Sequence, residues 1–181
     1  MKHGIVTQTH PMVCVRSRPG RHAQGWLTAG SARIAVTLGR MGILANKREG
    51  DGATPRGTFR PIRLWWRADR LPRPRTRLPL RPIRPHDAWC EDPGDRRYNR
   101  PIRMRPGAAG DRLWRDDHLY DLIVEIDHNA RPRIPGRGSA VFLHVARSDR
   151  GPTAGCVAAD TRPLLRLLAK MSPKTRIIVR F

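Results

Sequence analysis

Lysine is nearly missing from this chain, acidic residues are few, and no long apolar run occurs anywhere in it. Each shortage excludes something. A membrane-spanning helix needs about 20 consecutive apolar residues, and no stretch approaches that. The segment from Met1 to Gly20 also lacks the apolar centre of a secretory signal. The 3 cysteines, Cys14, Cys90 and Cys156, include no CxxC pair, which argues against a structural zinc site. In an exported chain Cys14 and Cys90 could pair and leave Cys156 free. Lysine stands only at Lys2, Lys47, Lys170 and Lys174, so the excess of 36 Lys+Arg over 15 Asp+Glu, a net charge of +21, is carried by arginine. The planar guanidinium suits carboxylates and phosphates alike, so a polyanionic partner is expected. Nucleic acid meets that description and so does a carboxylate-rich polymer, while GC-rich coding also raises arginine. Charge alone does not decide.

With 181 residues, 39% of them hydrophobic, the chain is long enough for one domain with a real core despite a mean hydropathy of −0.57. The first 40 residues alternate in the strand manner, with Met12–Val15 preceding the turn at Pro19-Gly20. Ala32 to Leu38 is β-branched and bounded by glycines. Residues 47–59 are dense in glycine and proline and read as loop. Residues 60–86 are rich in arginine and proline; Leu64-Trp65-Trp66 argues for a packed, extended segment rather than a disordered linker. Tyr120 to Asp127 and Ala140 to Val145 read as strands. Asp160 or Thr161 caps a helix with Pro163 in its first turn and an apolar face of Leu164, Leu165, Leu167 and Leu168. Thr175 to Phe181 closes the chain as a strand. The expectation is a mostly β domain with one helix late in the chain.

His144 and Cys156 are the chemical pair to explain. A thiol at its free pKa of about 8.5 is little ionised at neutral pH and needs a base or a positive field to act as nucleophile. His144, at the end of a buried-looking strand, supplies the base. Arg147 and Arg150 in the intervening loop add positive potential. Cys156 follows Pro152-Thr153-Ala154-Gly155, a turn that would hold it at a cleft lip, and Gly155 lets backbone N–H groups approach a developing oxyanion. The plainer alternative is a small buried cysteine beside a satisfied strand histidine.

His144 followed by Thr153-Ala154-Gly155-Cys156-Val157 resembles the motif of the YkuD L,D-transpeptidase family. The loop from Arg48 to Phe59, with Thr54-Pro55 and Gly57, is similar to that family's substrate-side loop. Trp89-Cys90 with Asp92-Pro93, Tyr98-Asn99, and Leu113-Trp114 leading into Tyr120-Asp121 resemble it too, so the likeness runs from about residue 38 to the C-terminus. It implies a YkuD-like β-sandwich, here carrying a long Arg/Pro-rich insertion, over residues 1–181. It also implies peptidoglycan stem peptides as partners, a periplasmic or cell-envelope location, no cofactor or metal, and acylation of Cys156 by carbapenems. In that reading Cys156 and His144 are catalytic, and Gly155 and Ala154 form the oxyanion turn. Arg147, Arg150, Thr153, Tyr98 and Asn99 bind substrate, and the chain works as a monomer. The chain departs from the family in three ways. The stretch between His144 and Cys156 is short, Ala154 stands where histidine is usual, and Ala158 replaces an arginine or asparagine. These departures point to a variant branch and to 1–3 rather than 3–3 crosslinks.

Other readings stay open at this point. The same site could make 3–3 links or give the acyl group to water as an L,D-carboxypeptidase or amidase. A basic nucleic-acid-binding module is the rival from another class. His118, His128, Asp116, Asp117, Asp121 and Asp127 could be imagined as a metal site, with Glu125 and Asp127 on one strand face, but no ligand spacing is diagnostic. Asp121 or His128 would instead pair with arginines. Trp65-Trp66 among arginines could stack nucleic-acid bases, although no recognised binding motif accompanies them.

Overall fold

Period-two alternation builds this protein. Its computed structural model describes residues 9–104 and 110–181; the first part of the segment from Met1 to Gly20, with Lys2, lies outside them. The chain opens with β1 (Met12–Arg18), β2 (Arg21–Ala29) and β3 (Ala32–Thr37), followed by the short β4 (Ile43–Leu44), β5 (Thr54–Pro55) and β6 (Gly57–Phe59). Next come β7 (Pro61–Trp66), β8 (Leu80–Pro82), β9 (Asp87–Cys90), β10 (Arg100–Arg103) and β11 (Asp111–Arg112). The remainder is β12 (Leu122–Ile126), β13 (Phe142–Val145), β14 (Val157–Ala159), α1 (Thr161–Leu168) and β15 (Arg176–Arg180). A 10-stranded mixed sheet runs β6-β15-β1-β2-β3-β14-β13-β12-β7-β8, a 3-stranded sheet runs β10-β9-β11, and β4 pairs with β5. The fold is mostly β with one helix, as expected.

Alternate residues of the central strands face two different cores. Leu64 and Trp66, Leu122 and Val124, Leu143 and Val145, and Val157 and Ala159 face one core with Leu164, Leu167 and Leu168 of α1. Val13, Val15, Leu27, Ile177 and Val179 join the same core, so the sheet curves until strands far apart in its order pack together. Trp65, Ile123, Phe142 and Cys156 point the other way, where Trp89 and Leu113 from the smaller sheet cover them. Trp89 meets Phe142 edge-on at 5.0 Å between ring centres, one of the geometries aromatic pairs prefer.

Several expectations change here. β1 continues to Arg18, and β2 fills the part of the strand-like first 40 residues that follows the Pro19-Gly20 turn, where the sequence bounds no separate strand. Residues 61–66 of the Arg/Pro-rich segment are an interior strand between β12 and β8. Trp65 and Trp66 are buried, so neither offers a stacking surface to bases. Cys14 and Cys90 are free thiols on different sheets, and the Cys14–Cys90 pairing is not made. Asp160 holds the N-cap position of α1 without a side-chain cap bond, because its carboxylate pairs with Arg150. The acidic and histidine residues considered for a metal have other partners. Asp121 binds His118 and Arg70, both at 2.8 Å, Glu125 binds Trp65 and Arg63, both at 2.9 Å, and Asp127 accepts the Arg60 N–H at 2.8 Å. His128 Nε2 lies 3.1 Å from the Arg137 carbonyl.

Among the described residues no helix is long and apolar enough to cross a membrane.

Candidate active site

β13 and β14 are parallel neighbours with Leu143 opposite Val157 and His144 opposite Ala158. Two-residue alternation therefore puts Phe142, His144, Cys156 and Ala158 on one face, with His144 on β13 and Cys156 immediately before β14. The crossover between them is a tight loop. Thr153 is tied to the end of β3 by its N–H to Leu38 O at 2.9 Å and by Arg40 N–H to its own carbonyl at 3.1 Å. The Thr153 hydroxyl donates to Cys156 O at 2.7 Å and accepts the Gly155 N–H at 3.1 Å. Thr54, buried in β5, accepts the Gly39 N–H at 2.8 Å and donates to Cys156 O at 3.4 Å. Gly155 has φ +148°, and a Cβ there would lie 2.8 Å from Ala53 O. Only glycine lets the turn close against the 48–59 loop.

The nucleophile candidate is well ordered and well hidden. Cys156 is 8% exposed; its Sγ donates to Ala140 O at 3.2 Å and accepts the Phe142 N–H at 3.3 Å. Burial pushes the thiol up to about 12, with repulsion from Asp111 and Glu91 adding and the Phe142 N–H and Lys47 opposing. His144 Nδ1 lies 2.8 Å from Val145 O. A neutral ring that donates from Nδ1 leaves Nε2 as its basic nitrogen. Burial pushes this imidazole down to about 4; Arg115 acts in the same direction, and the Val145 and Leu119 carbonyls oppose. The resting pair is therefore thiol and neutral imidazole, and among the described residues no hydrogen bond joins the two side chains.

The pair opens into a cleft of about 610 Å³. His144, Cys156, Thr153, Ala154, Gly155 and Arg147 all line it, so the structure brings these six candidates together. The other three candidates lie elsewhere. Arg150 turns away to Asp160. Tyr98 is buried and donates its hydroxyl to Glu49, and Asn99 is buried in a hydrogen-bond cluster behind the wall. Ala158 faces the cleft beside His144, where a longer side chain would crowd the imidazole.

The wall holds residues that sequence reasoning did not single out as site members. Tyr120 packs edge-on against His144 at 5.5 Å, and its hydroxyl donates to Asp111 at 2.7 Å. Arg115 lies over the Tyr120 ring at 5.0 Å. Burial raises the Asp111 carboxyl, with the Tyr120 bond and Arg115 opposing. Glu91, at the cleft mouth, is pushed up to about 7 by desolvation and then by Asp111 and Glu49. Arg40, Lys47 and Arg147 line the cleft as well, so it presents both signs of charge. The Leu113-Trp114 and Tyr120-Asp121 stretch was the available signal for the Tyr120 wall; Glu91 and Asp111 had none.

Comparison with curated proteins found no match, and neither did comparison with solved structures. A family model does match: that of the YkuD L,D-transpeptidase catalytic domain, over residues 14–179. The match includes the His144 strand, the Thr153-to-Cys156 turn, the 48–59 loop and the small sheet that walls the cleft. The chain belongs to the YkuD L,D-transpeptidase family, whose members act on peptidoglycan peptides in the cell envelope.

Proposed function

We propose that this chain is a one-domain, monomeric peptidoglycan L,D-transpeptidase working through a thioester on Cys156 and forming 1–3 crosslinks. The observation that supports the reading is the parallel pairing of β13 with β14, which leaves His144 and Cys156, the residue just before β14, lining one cleft. As Sγ attacks the carbonyl of an L-configured residue, its proton passes to His144 Nε2 and the carbonyl becomes an oxyanion at the Ala154–Gly155 turn. Collapse breaks the C–N bond, and the departing amine takes the proton from Nε2. A second stem's amine then attacks the thioester and gives a proton to His144. As the C–S bond breaks and the new amide forms, the departing Cys156 sulfur takes that proton from Nε2, restoring thiol and neutral imidazole.

Arg40 and Arg147 suit the stem carboxylates, Arg147 from an exposed pair with Asp149, while Lys47 is already held by Asp51; Glu49 and Glu91 suit an incoming ammonium. The preference for the bond between the first and second stem residues rests on Ala158, which stands in place of the family's arginine or asparagine.

Purified protein incubated with muropeptides, followed by mass spectrometry, tests this. The expected products join L-alanine to diaminopimelate, with an acyl adduct on Cys156 that is lost in Cys156→Ala. Links between two diaminopimelates would overturn the bond preference, release of free peptide without crosslinks would make the enzyme a hydrolase, and products from Cys156→Ala would remove the thioester.

A further inference from the structure

Asn99 was a candidate for substrate binding, yet every polar atom of its side chain is already engaged. It is 6% exposed and lies behind the cleft wall, at the start of the residues leading into β10. Its Nδ2 donates to His128 O at 3.1 Å and Asn129 O at 2.9 Å, and its Oδ1 accepts from Trp89 Nε1 at 3.0 Å and Ala140 N at 3.3 Å. Two carbonyls face the amide nitrogen and two N–H groups face the oxygen. Only one orientation of the amide satisfies all four, and nothing is left over for a ligand.

The fourth partner leads to the nucleophile. Ala140 has φ +49°, a left-handed conformation that an alanine adopts only when its surroundings impose it. With its N–H held by Asn99, its carbonyl accepts the Cys156 thiol at 3.2 Å, while the Phe142 N–H approaches Sγ at 3.3 Å. A continuous chain of contacts therefore runs from Trp89 through Asn99 and Ala140 to Sγ.

We propose that Asn99 is a positioning residue for the nucleophile: its amide clamps Ala140 so that the Ala140 carbonyl holds the Cys156 thiol in a single resting rotamer. This rests on the reading of Cys156 as the nucleophile. A thiol that donates to a carbonyl is kept protonated and oriented until His144 takes the proton, because a hydrogen bond to the neutral form opposes ionisation. Burial of the thiol acts in the same sense. Without the clamp, Ala140 relaxes from its left-handed conformation and its carbonyl swings away from Sγ. The thiol then ionises more easily, while the enzyme loses the single geometry from which it attacks.

The test uses the full chain with Asn99→Ala and two readouts. One is thiolate ultraviolet absorbance as a function of pH, with Cys156→Ala as blank; the other is steady-state turnover on muropeptides. The onset of thiolate absorbance is expected about one unit lower in pH, and kcat about tenfold lower with KM unchanged, as befits loss of one buried hydrogen-bond link. An unmoved thiolate onset would leave Asn99 with a purely structural role and overturn the proposal. A raised KM with unchanged kcat would make it a substrate contact and overturn it equally. Should Asn99→Ala fail to fold, Asn99→Gly decides. Asn99 has φ +54°, which glycine adopts without strain, and the variant removes the acceptor that holds the Ala140 N–H, so the onset is expected to move in the same direction, and an unmoved onset again overturns the proposal. The absorbance readout needs no substrate. Failure of the wild type to crosslink would therefore sink the transpeptidase reading and leave this one to stand or fall alone.

Discussion

Acid should weaken this protein through His144. The imidazole sits on the cleft face of β13, 5% exposed, and burial holds it down to about 4 from its ordinary 6.5. In the unfolded chain the ring titrates normally. Between pH 6.5 and 4 the unfolded state therefore binds a proton that the folded state refuses, and stability falls as pH falls. Above pH 6.5 both states hold a neutral ring and the effect vanishes. Integrated down to pH 4, a shift of this size costs about 3 kcal/mol, a large part of the ~5–15 kcal/mol that keeps a domain folded. With a urea slope of about 2 kcal/mol per molar, that is a fall of roughly 1.5 M in the unfolding midpoint. Glu91 works in the opposite sense: its carboxyl is pushed up to about 7, so the folded state binds the extra proton there and gains stability as pH falls. Comparison with His144→Gln separates the two, because Glu91 remains in both proteins. Urea titrations of wild type and variant at pH 7 and pH 4 should show the wild type losing about 3 kcal/mol more than His144→Gln across that interval. Equal losses would refute the claim that the folded protein excludes the proton from His144.

Gly155→Ala places a Cβ 2.8 Å from Ala53 O at φ +148°, so it should cost about 1–3 kcal/mol in stability and shift the thiol, read as a lower melting temperature together with lost crosslinking. A fully active, equally stable variant would mean that the turn and the 48–59 loop separate freely. Arg147 lines the cleft while reaching Asp149 at 3.1 Å, and Arg150 is turned away to Asp160; each exposed pair is worth at most about 1 kcal/mol, so position rather than pairing separates the two. Arg147→Glu should therefore lower turnover on carboxylate-bearing stems several-fold more than Arg150→Glu, and equal losses from the two reversals would place the substrate carboxylate elsewhere.

Local order carried much of the fold on its own. The alternation from Tyr120 to Asp127 and from Ala140 to Val145 names β12 and β13, and the leucines after Thr161 name α1, because one buried face per element leaves a period in the residues. His144 and Cys156 with its preceding turn stood out as candidates as well, since a nucleophile would need a base and a glycine where the backbone closes in. The bounds of β2 were not legible within the strand-like first 40 residues: Arg21, His22, Gln24 and Gly25 blur the alternation, and pairing with β1 and β3 sets its limits. The burial of Trp65 and Trp66 inside an Arg/Pro-rich stretch likewise depends on β12 lying beside them. Protonation could not be read at all, because desolvation of His144 and Cys156 comes from walls contributed by Trp89, Asp111, Tyr120 and Ala140, distant in sequence. Arg150 and Asn99 carry the same lesson. Their residue types suit substrate carboxylates and amides, but Asp160 and Ala140 reach them first, and only the tertiary structure decides which partner a polar side chain meets.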